Sequence, residues 1–358
     1  MKPVDVVIAV HTPTRPIGRA VASVLEGNSQ HAQVTVVCHN VEAASIKGEL
    51  ASEHREQVRW MGHHDGLSSA SGPFNAGMRA STAQFVSIMG SDDLLEPGAV
   101  SSWLELAHAA RADCVMTRLA IGSQRRRVPT PPVRAFSAKR LIADPVRDRL
   151  SYRSAPLGLV STSARERLGA ELVEGMPVGG DVAYVTRLWC ETKVAVDRAG
   201  PGYVIGEDAS DRVTYAPRPI ENELGFLRHL ITQEWFTAYP RSIRTAVATK
   251  LLRIHLFGAV FNRSDPSWWT SPEREALAAI TTELMDIAPS AADPLSIADH
   301  RLLSAMCDVT VSAEVLVQTA RARRRHGRPS TVVPQHLARV GHPEAPLRFM
   351  AASWLASR

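Results

Sequence analysis

The segment Val4-Asp5-Val6-Val7-Ile8-Ala9-Val10 is apolar at every position but one and rich in β-branched side chains. Such a run, without polar alternation, is what a strand buried on both faces requires. A turn-like His11-Thr12-Pro13-Thr14-Arg15-Pro16 follows. Ile17, Ala20, Val21, Val24 and Leu25 then recur at helical spacing until Gly27-Asn28 stops the helix. The alternation continues with strands over Val34–Cys38, Val58–Met61, Gln84–Met89 and Asp113–Ile121, and helices over Asn75–Ser81 and Pro97–Ala110. Strands alternating with helices build an α/β fold, a mostly parallel sheet covered on both faces. Ligands of such sheets bind outside the carboxyl ends of the strands. The polar residues after Val10, Cys38 and Met89 lie at those ends.

From about Glu221 the pattern becomes helical throughout, over Leu224–Tyr239, Ser242–Phe261, Pro272–Asp286, Ile297–Cys307 and Ala313–Arg325. Ala216-Pro217-Arg218-Pro219 marks a boundary, since two prolines fit neither a helix interior nor a central strand. The expected organisation is a sheet domain over residues 1–216 and an all-helical C-terminal domain over 217–358, with a loop-rich tail after Gly327. Charged residues make up 22% of the 358, which excludes a disordered chain. No apolar run reaches the roughly 18 residues of a membrane helix. The first residues do not form a signal peptide. Cys38, Cys114, Cys190 and Cys307 are too scattered for a zinc site or disulfide framework. A cytoplasmic protein is expected.

Gly90-Ser91-Asp92-Asp93-Leu94-Leu95 is the sharpest local feature. Adjacent carboxylates at the end of a buried strand repel each other unless a cation or hydrogen-bond donors compensate them. Hard oxygen ligands there suit Mg2+ or Mn2+ bridging a diphosphate. The alternative is an Asp cap for the helix after Pro97. Upstream stands Phe74-Asn75-Ala76-Gly77-Met78-Arg79, and Phe85-Val86-Ser87-Ile88-Met89 leads into the acidic pair. Taken in order, these motifs resemble the family 2 inverting glycosyltransferases of GT-A (Rossmann-like) fold, over roughly residues 4–215.

That resemblance implies sugar transfer from a nucleotide-diphosphate donor, by family habit a UDP-sugar, to the hydroxyl of a glycan, polyol-phosphate polymer or lipid-linked acceptor. It implies that Asp93 ligates Mn2+ or Mg2+ and that Asp92 reaches the ribose or the metal's water shell. Donor contacts are implied at His11, Thr12, Arg15, Asn40, Asp65, Asn75, Asp92 and Arg212. Met176-Pro177-Val178-Gly179-Gly180-Asp181 matches the family's signal before a helix, which makes Asp181 the general base. Gly-Gly-Asp is also a good capping sequence by itself. Tyr184 and Trp189 follow on that helix, as acceptor contacts or as core.

The chain departs from the family pattern at several positions. Cys38-His39-Asn40 stands where an acidic pair reads the nucleobase, and Phe74 where an Arg precedes the Asn. Gly90 replaces the first acid of the strand-end motif, and Gly180 replaces the Glu before the base. His63-His64-Asp65-Gly66-Leu67 corresponds to a loop near the base, and Glu207-Asp208 takes the place of a metal-completing His.

The net charge of +5 is unevenly spread. Arg125, Arg126, Arg127, Arg134, Lys139, Arg140, Arg147, Arg149 and Arg153 face only Asp144 and Asp148 in one stretch, which reads as a solvated basic loop or as a contact for a phosphate-bearing acceptor. Arg321 to Arg328 forms a second cluster, suited to a helix C-terminus or to anionic lipid at the inner face of a membrane. The helix-rich second half resembles extensions of transferases that act on teichoic-acid-like polymers, and it would serve acceptor docking, surface attachment or homo-oligomer formation. No aromatic interleaving points to nucleic acid. Two other classes compete. One is a degenerate GT-A protein that binds without turnover, suggested by His39, Asn40, Gly90 and Gly180. The other is a nucleotidyltransferase, which would want a Gly-rich loop where His11–Arg19 has only Gly18.

Overall fold

The computed structural model describes residues 2–134, 141–207 and 218–357. Eleven strands are found among them: β1 (Val4–Val10), β2 (Ala32–His39), β3 (Val58–His63), β4 (Phe85–Gly90), β5 (Leu94–Leu95), β6 (Cys114–Met116), β7 (Leu119–Ile121), β8 (Arg126–Val128), β9 (Gly158–Ser161), β10 (Val194–Val196) and β11 (Tyr203–Ile205). Seven make the main sheet, in the order β10-β6-β9-β4-β1-β2-β3. β1 pairs in parallel with β2 and β4, and only β9 runs antiparallel to its neighbours. The expected α/β architecture, a mostly parallel sheet followed by helices, is the one observed. Helices cover both faces, so β1 is buried along its length as its apolar run requires. Its one polar residue, Asp5, accepts hydrogen bonds across the strand pair from Thr35 Oγ1 (2.9 Å) and Gln33 Nε2 (3.2 Å).

The single strand expected over Asp113–Ile121 is two strands in two sheets. β6 stays in the main sheet, while β7 joins β5, β11 and β8 in a second, four-stranded sheet. The break falls at Thr117-Arg118, where Thr117 N donates to Leu157 O and Arg118 O accepts from Tyr203 N. Pairing with distant segments, not local propensity, cuts this run.

In the second half, helices Ile220–Ile231, Arg241–Lys250, Ser271–Ile287, Ile297–Cys307 and Ala313–Arg323 enclose one apolar core, with Leu227, Leu251, Phe257, Leu277 and Leu302 inside it. Val182 and Ala183, from the helix that follows Asp181, belong to the same core. The long helix expected over Leu224–Tyr239 divides after Ile231, and the one over Ser242–Phe261 contains a π-helical stretch, Leu251–Leu256. The tail is tied back through Glu344. Its buried carboxylate meets Arg253 Nη1 at 2.7 Å, Tyr152 OH at 2.9 Å and Arg149 Nε at 3.5 Å. Among the described residues no helix is long and apolar enough to cross a membrane. The boundary expected at 216/217 lies outside the described residues, as do Lys139 and Arg140.

Candidate active site

Two cavities lie side by side at the carboxyl ends of β1, β2 and β4. The first, about 540 Å3, is lined by Val10, His11, Arg15, His39, Asn40 and Asp92. The second, about 530 Å3, is lined by Asp93, Leu157, Asp181, Tyr203 and Ile205. Ser68, Ala70, Phe74 and Gly90 belong to both walls, so the pair forms one trough.

The strand-end carboxylates are compensated in different ways. Asp92 Oδ1 pairs with Arg15 Nη1 at 3.0 Å, and Arg19 Nη2 donates to the Asp92 carbonyl at 3.0 Å. Asp93 Oδ1 accepts from Gly206 N at 2.8 Å and Oδ2 from Tyr203 OH at 2.5 Å; that hydroxyl in turn accepts from Gly90 N at 3.0 Å. Burial raises the Asp93 carboxyl above its ordinary range, the charge of Asp92 adds to this, and the Tyr203, Gly206 and Gly90 hydrogen bonds oppose it. Neither acid caps the next helix, which starts at Ala99 after Gly98 with no side-chain cap. No third His, Cys, Asp or Glu among the described residues joins them in a metal-binding group. Two carboxylates fit Mg2+ or Mn2+ of the kind that completes its coordination with phosphate oxygens and water, not an all-protein cage.

Asp181 holds the N-cap position of the Val182–Glu191 helix, yet its side chain makes no capping hydrogen bond. It lines the second cavity instead. Burial pushes its carboxyl up to about 6 from 3.8, with the charge of Lys250 pulling the other way. A carboxylate poised near neutrality is suited to taking a proton from a hydroxyl. The glycines before it are dictated by space. Gly179 has φ 72°, and a Cβ there would stand 2.4 Å from the Phe226 ring. At Gly180 a Cβ would meet Ser71 Oγ at 2.6 Å and Val173 O at 2.7 Å, which leaves no room for the Glu of the family pattern. Gly90 is likewise fixed, its Cβ position lying 2.5 Å from Asp93 Oδ2.

At the far end of the trough Asn40 acts as a staple. Its Oδ1 accepts from Asp65 N and Gly66 N, both at 3.1 Å, and its Nδ2 donates to Leu67 O at 3.0 Å. Asp65 sits behind it, bonded to His39 Nε2 (2.8 Å), His63 Nε2 (3.1 Å) and Leu67 N (2.9 Å). Desolvation opposes its charge, but the bonds from His39, Leu67 and His63 hold this carboxyl well below the usual carboxylate range. Asn40 and Asp65 thus shape the loop that closes the first cavity.

Several residues expected in the site stand elsewhere. Asn75 is 1% exposed and absent from the trough wall. Its amide donates to Leu172 O and Glu174 Oε1 and accepts from Leu172 N, clamping the Ser71–Ala80 helix to the segment that leads to Asp181. Asn75→Ala is expected to cost about 1–3 kcal/mol, the usual penalty for stranding buried polar partners, read as a lower urea midpoint at unchanged slope. Tyr184 and Trp189 are core, each 2% exposed; their polar atoms reach Met78 Sδ and Arg153 O. The helical spacing was legible, but that face packs on the sheet and not on an acceptor. Arg125 pairs with Glu96, Arg127 donates to Arg198 O, and Arg126 is 75% exposed beside Glu207; none lines the trough. Thr12 Oγ1 lies 3.1 Å from Thr14 Oγ1, outside the wall. Arg212 lies outside the described residues. Tyr203, which hydrogen-bonds Asp93, and Lys250, whose charge acts on Asp181, carry no local sequence signal; both come from distant segments.

No family model matches the chain, and no curated protein matches its sequence. The mixed sheet with its helical second half is a GT-A-like fold. Among solved structures that share it, TarS 1-349 of S. aureus in complex with UDP-GlcNAc superposes with a TM-score of 0.69 at 13% identity, covering 92% of this chain and 93% of that one. The same segment in complex with UDP gives 0.62 at 14% identity, again over 92% and 93%. A longer TarS structure gives 0.62 at 14% identity, and there the match spans 56% of the TarS chain.

Proposed function

We propose that this chain is a metal-dependent inverting glycosyltransferase that moves a sugar from a nucleoside-diphosphate donor to a hydroxyl, with Asp181 as general base. The observation that carries this reading is that Asp93 and Asp181 wall one cavity, the second free of any capping role and poised near neutrality. The TarS complexes with UDP-GlcNAc and UDP support a uridine donor. The nucleoside would occupy the first cavity, over His39 and Asn40, and the diphosphate would lie at Asp92 and Asp93. A divalent cation held by those two acids would supply neutralisation of the leaving diphosphate, and Arg15 adds its own charge there.

In the step itself, the acceptor hydroxyl gives its proton to Asp181 as its oxygen attacks the anomeric carbon. The bond from that carbon to the diphosphate oxygen breaks, and the electron pair departs with the nucleoside diphosphate. Attack from the face opposite the leaving group inverts the centre, so one base suffices. An acceptor that carries phosphate, such as a polyol-phosphate polymer, would meet the exposed Arg126 only outside the trough, since Arg125 and Arg127 are engaged within the protein. In this reading residues 1–216 carry the chemistry and 217–358 support it.

Product analysis tests the reading. Incubation of UDP-linked sugars with Mn2+ or Mg2+ and a polyol-phosphate acceptor should release UDP and a glycosylated acceptor. Release of pyrophosphate would instead establish nucleotidyl transfer.

A further inference from the structure

Behind Asp181 stands a buried lysine that the transfer step does not itself use. Lys250 ends the Arg241–Lys250 helix and is 2% exposed. A buried ammonium is costly unless other groups compensate its charge. Its Nζ lies 2.8 Å from His255 Nε2. Lysine has only donors to offer, so the imidazole accepts and is neutral. Burial and then the charge of Lys250 hold His255 well below its ordinary value. The two residues meet because the stretch Leu251–Leu256 is π-helical, and its five-residue spacing stacks position 255 over position 250.

This pair backs the turn that carries the base. The His255 ring stands edge-on to Phe226 with centroids 4.9 Å apart, and Phe226 fills the space that a side chain at Gly179 would need. The Arg241–Lys250 helix packs on the Leu251–Leu256 stretch, the Pro289–Ala292 turn, the Leu150–Tyr152 turn and the Ser271–Ile287 helix, and Val182 and Ala183, next after Asp181, share one core with Val247, Ala248 and Leu251, which flank Lys250. Asp181 is the charged group that acts on Lys250 and Lys250 the one that acts on Asp181, while neutral His255 accepts the lysine's hydrogen bond.

We infer that Lys250, held by His255, is a positioning residue for Asp181, by which the helical half supplies the positive charge that keeps the base able to accept a proton. The inference rests on the reading of Asp181 as base. It accords with the charges: burial lowers the Lys250 ammonium while Asp181 holds it up, and burial raises the Asp181 carboxyl while Lys250 opposes the rise.

The test is the pH dependence of transfer by the full chain, with Lys250→Met, Lys250→Arg and Asp181→Asn beside the wild type. Lys250→Met should move the acid limb upward by about one pH unit, a loss of roughly fivefold at pH 6 that fades by pH 8.5. Lys250→Arg should move it back, and UDP affinity by calorimetry should not change. A uniform loss at every pH with an unmoved limb, or no change at all, overturns the inference. Carboxyl 13C NMR titration gives the same answer without turnover. The signal missing in Asp181→Asn should titrate higher in Lys250→Met, and an unshifted or absent titration there counts against the proposal. Retained transfer in Asp181→Asn is a separate result, since it removes the base reading itself.

Discussion

Asp181→Asn is expected to lower sugar transfer by about 10^2- to 10^4-fold, the range that a positioned general base contributes, with donor binding unchanged. The substitution preserves shape. Because the Asp181 side chain caps nothing, the start of the Val182–Glu191 helix has no hydrogen bond to lose. What disappears is the ability to take a proton at a carboxylate that burial has raised to about 6. The sign follows directly. Below that value the wild-type group is protonated and cannot act, so its activity should fall about tenfold for each pH unit on the acid side. Above it the carboxylate is free and activity levels off. The variant should show no such limb. Rates of UDP release across pH, set beside calorimetric affinity for UDP, separate the two effects. An equal loss of affinity would mean that Asp181 binds the donor instead.

Asp93 offers the second large effect, and two variants divide its roles. Asp93→Ala removes the acceptor of the Tyr203 hydroxyl and the Gly206 N–H, with Tyr203 fully buried. It should lose stability by about 1–3 kcal/mol as well as activity. Asp93→Asn keeps an acceptor for one of those two donors and relieves the repulsion from Asp92, so it should lose less stability than Asp93→Ala. In the proposed reading both variants lose a carboxylate that would hold the divalent cation opposite the leaving diphosphate. Transfer should drop by about 10^2- to 10^3-fold in each, the usual size of a lost electrostatic stabiliser. The response to Mn2+ or Mg2+ should weaken in parallel. Normal cation dependence in Asp93→Asn would place the cation elsewhere.

The parts of the molecule legible in the sequence are those fixed by local physics. Val4–Val10 reads as a central strand because a parallel strand covered on both faces has no polar side to show. The acidic pair reads as a site because like charges at a strand end need compensation. What stayed hidden depends on partners far along the chain. The break at Thr117-Arg118 follows from pairing with Leu157 and Tyr203. The inward direction of Asn75 depends on Leu172, and the burial of Trp189 on the sheet beneath it. Gly90 and Gly180 were visible as departures, but the reason for them is the space taken by Asp93, Ser71 and Val173. Lys250 was invisible too, since nothing near Asp181 in sequence announces a lysine delivered by the helical half.

The proposed transfer requires the trough at the strand ends to hold a nucleoside diphosphate across Asp92 and Asp93. Titration calorimetry of UDP and of GDP, TDP and CDP, with and without Mn2+, tests it most directly. Binding of a nucleoside diphosphate should be saturable, require the cation and weaken in Asp93→Asn. Absence of binding by all four with Mn2+ or Mg2+, or binding that Asp93→Asn leaves untouched, would contradict it.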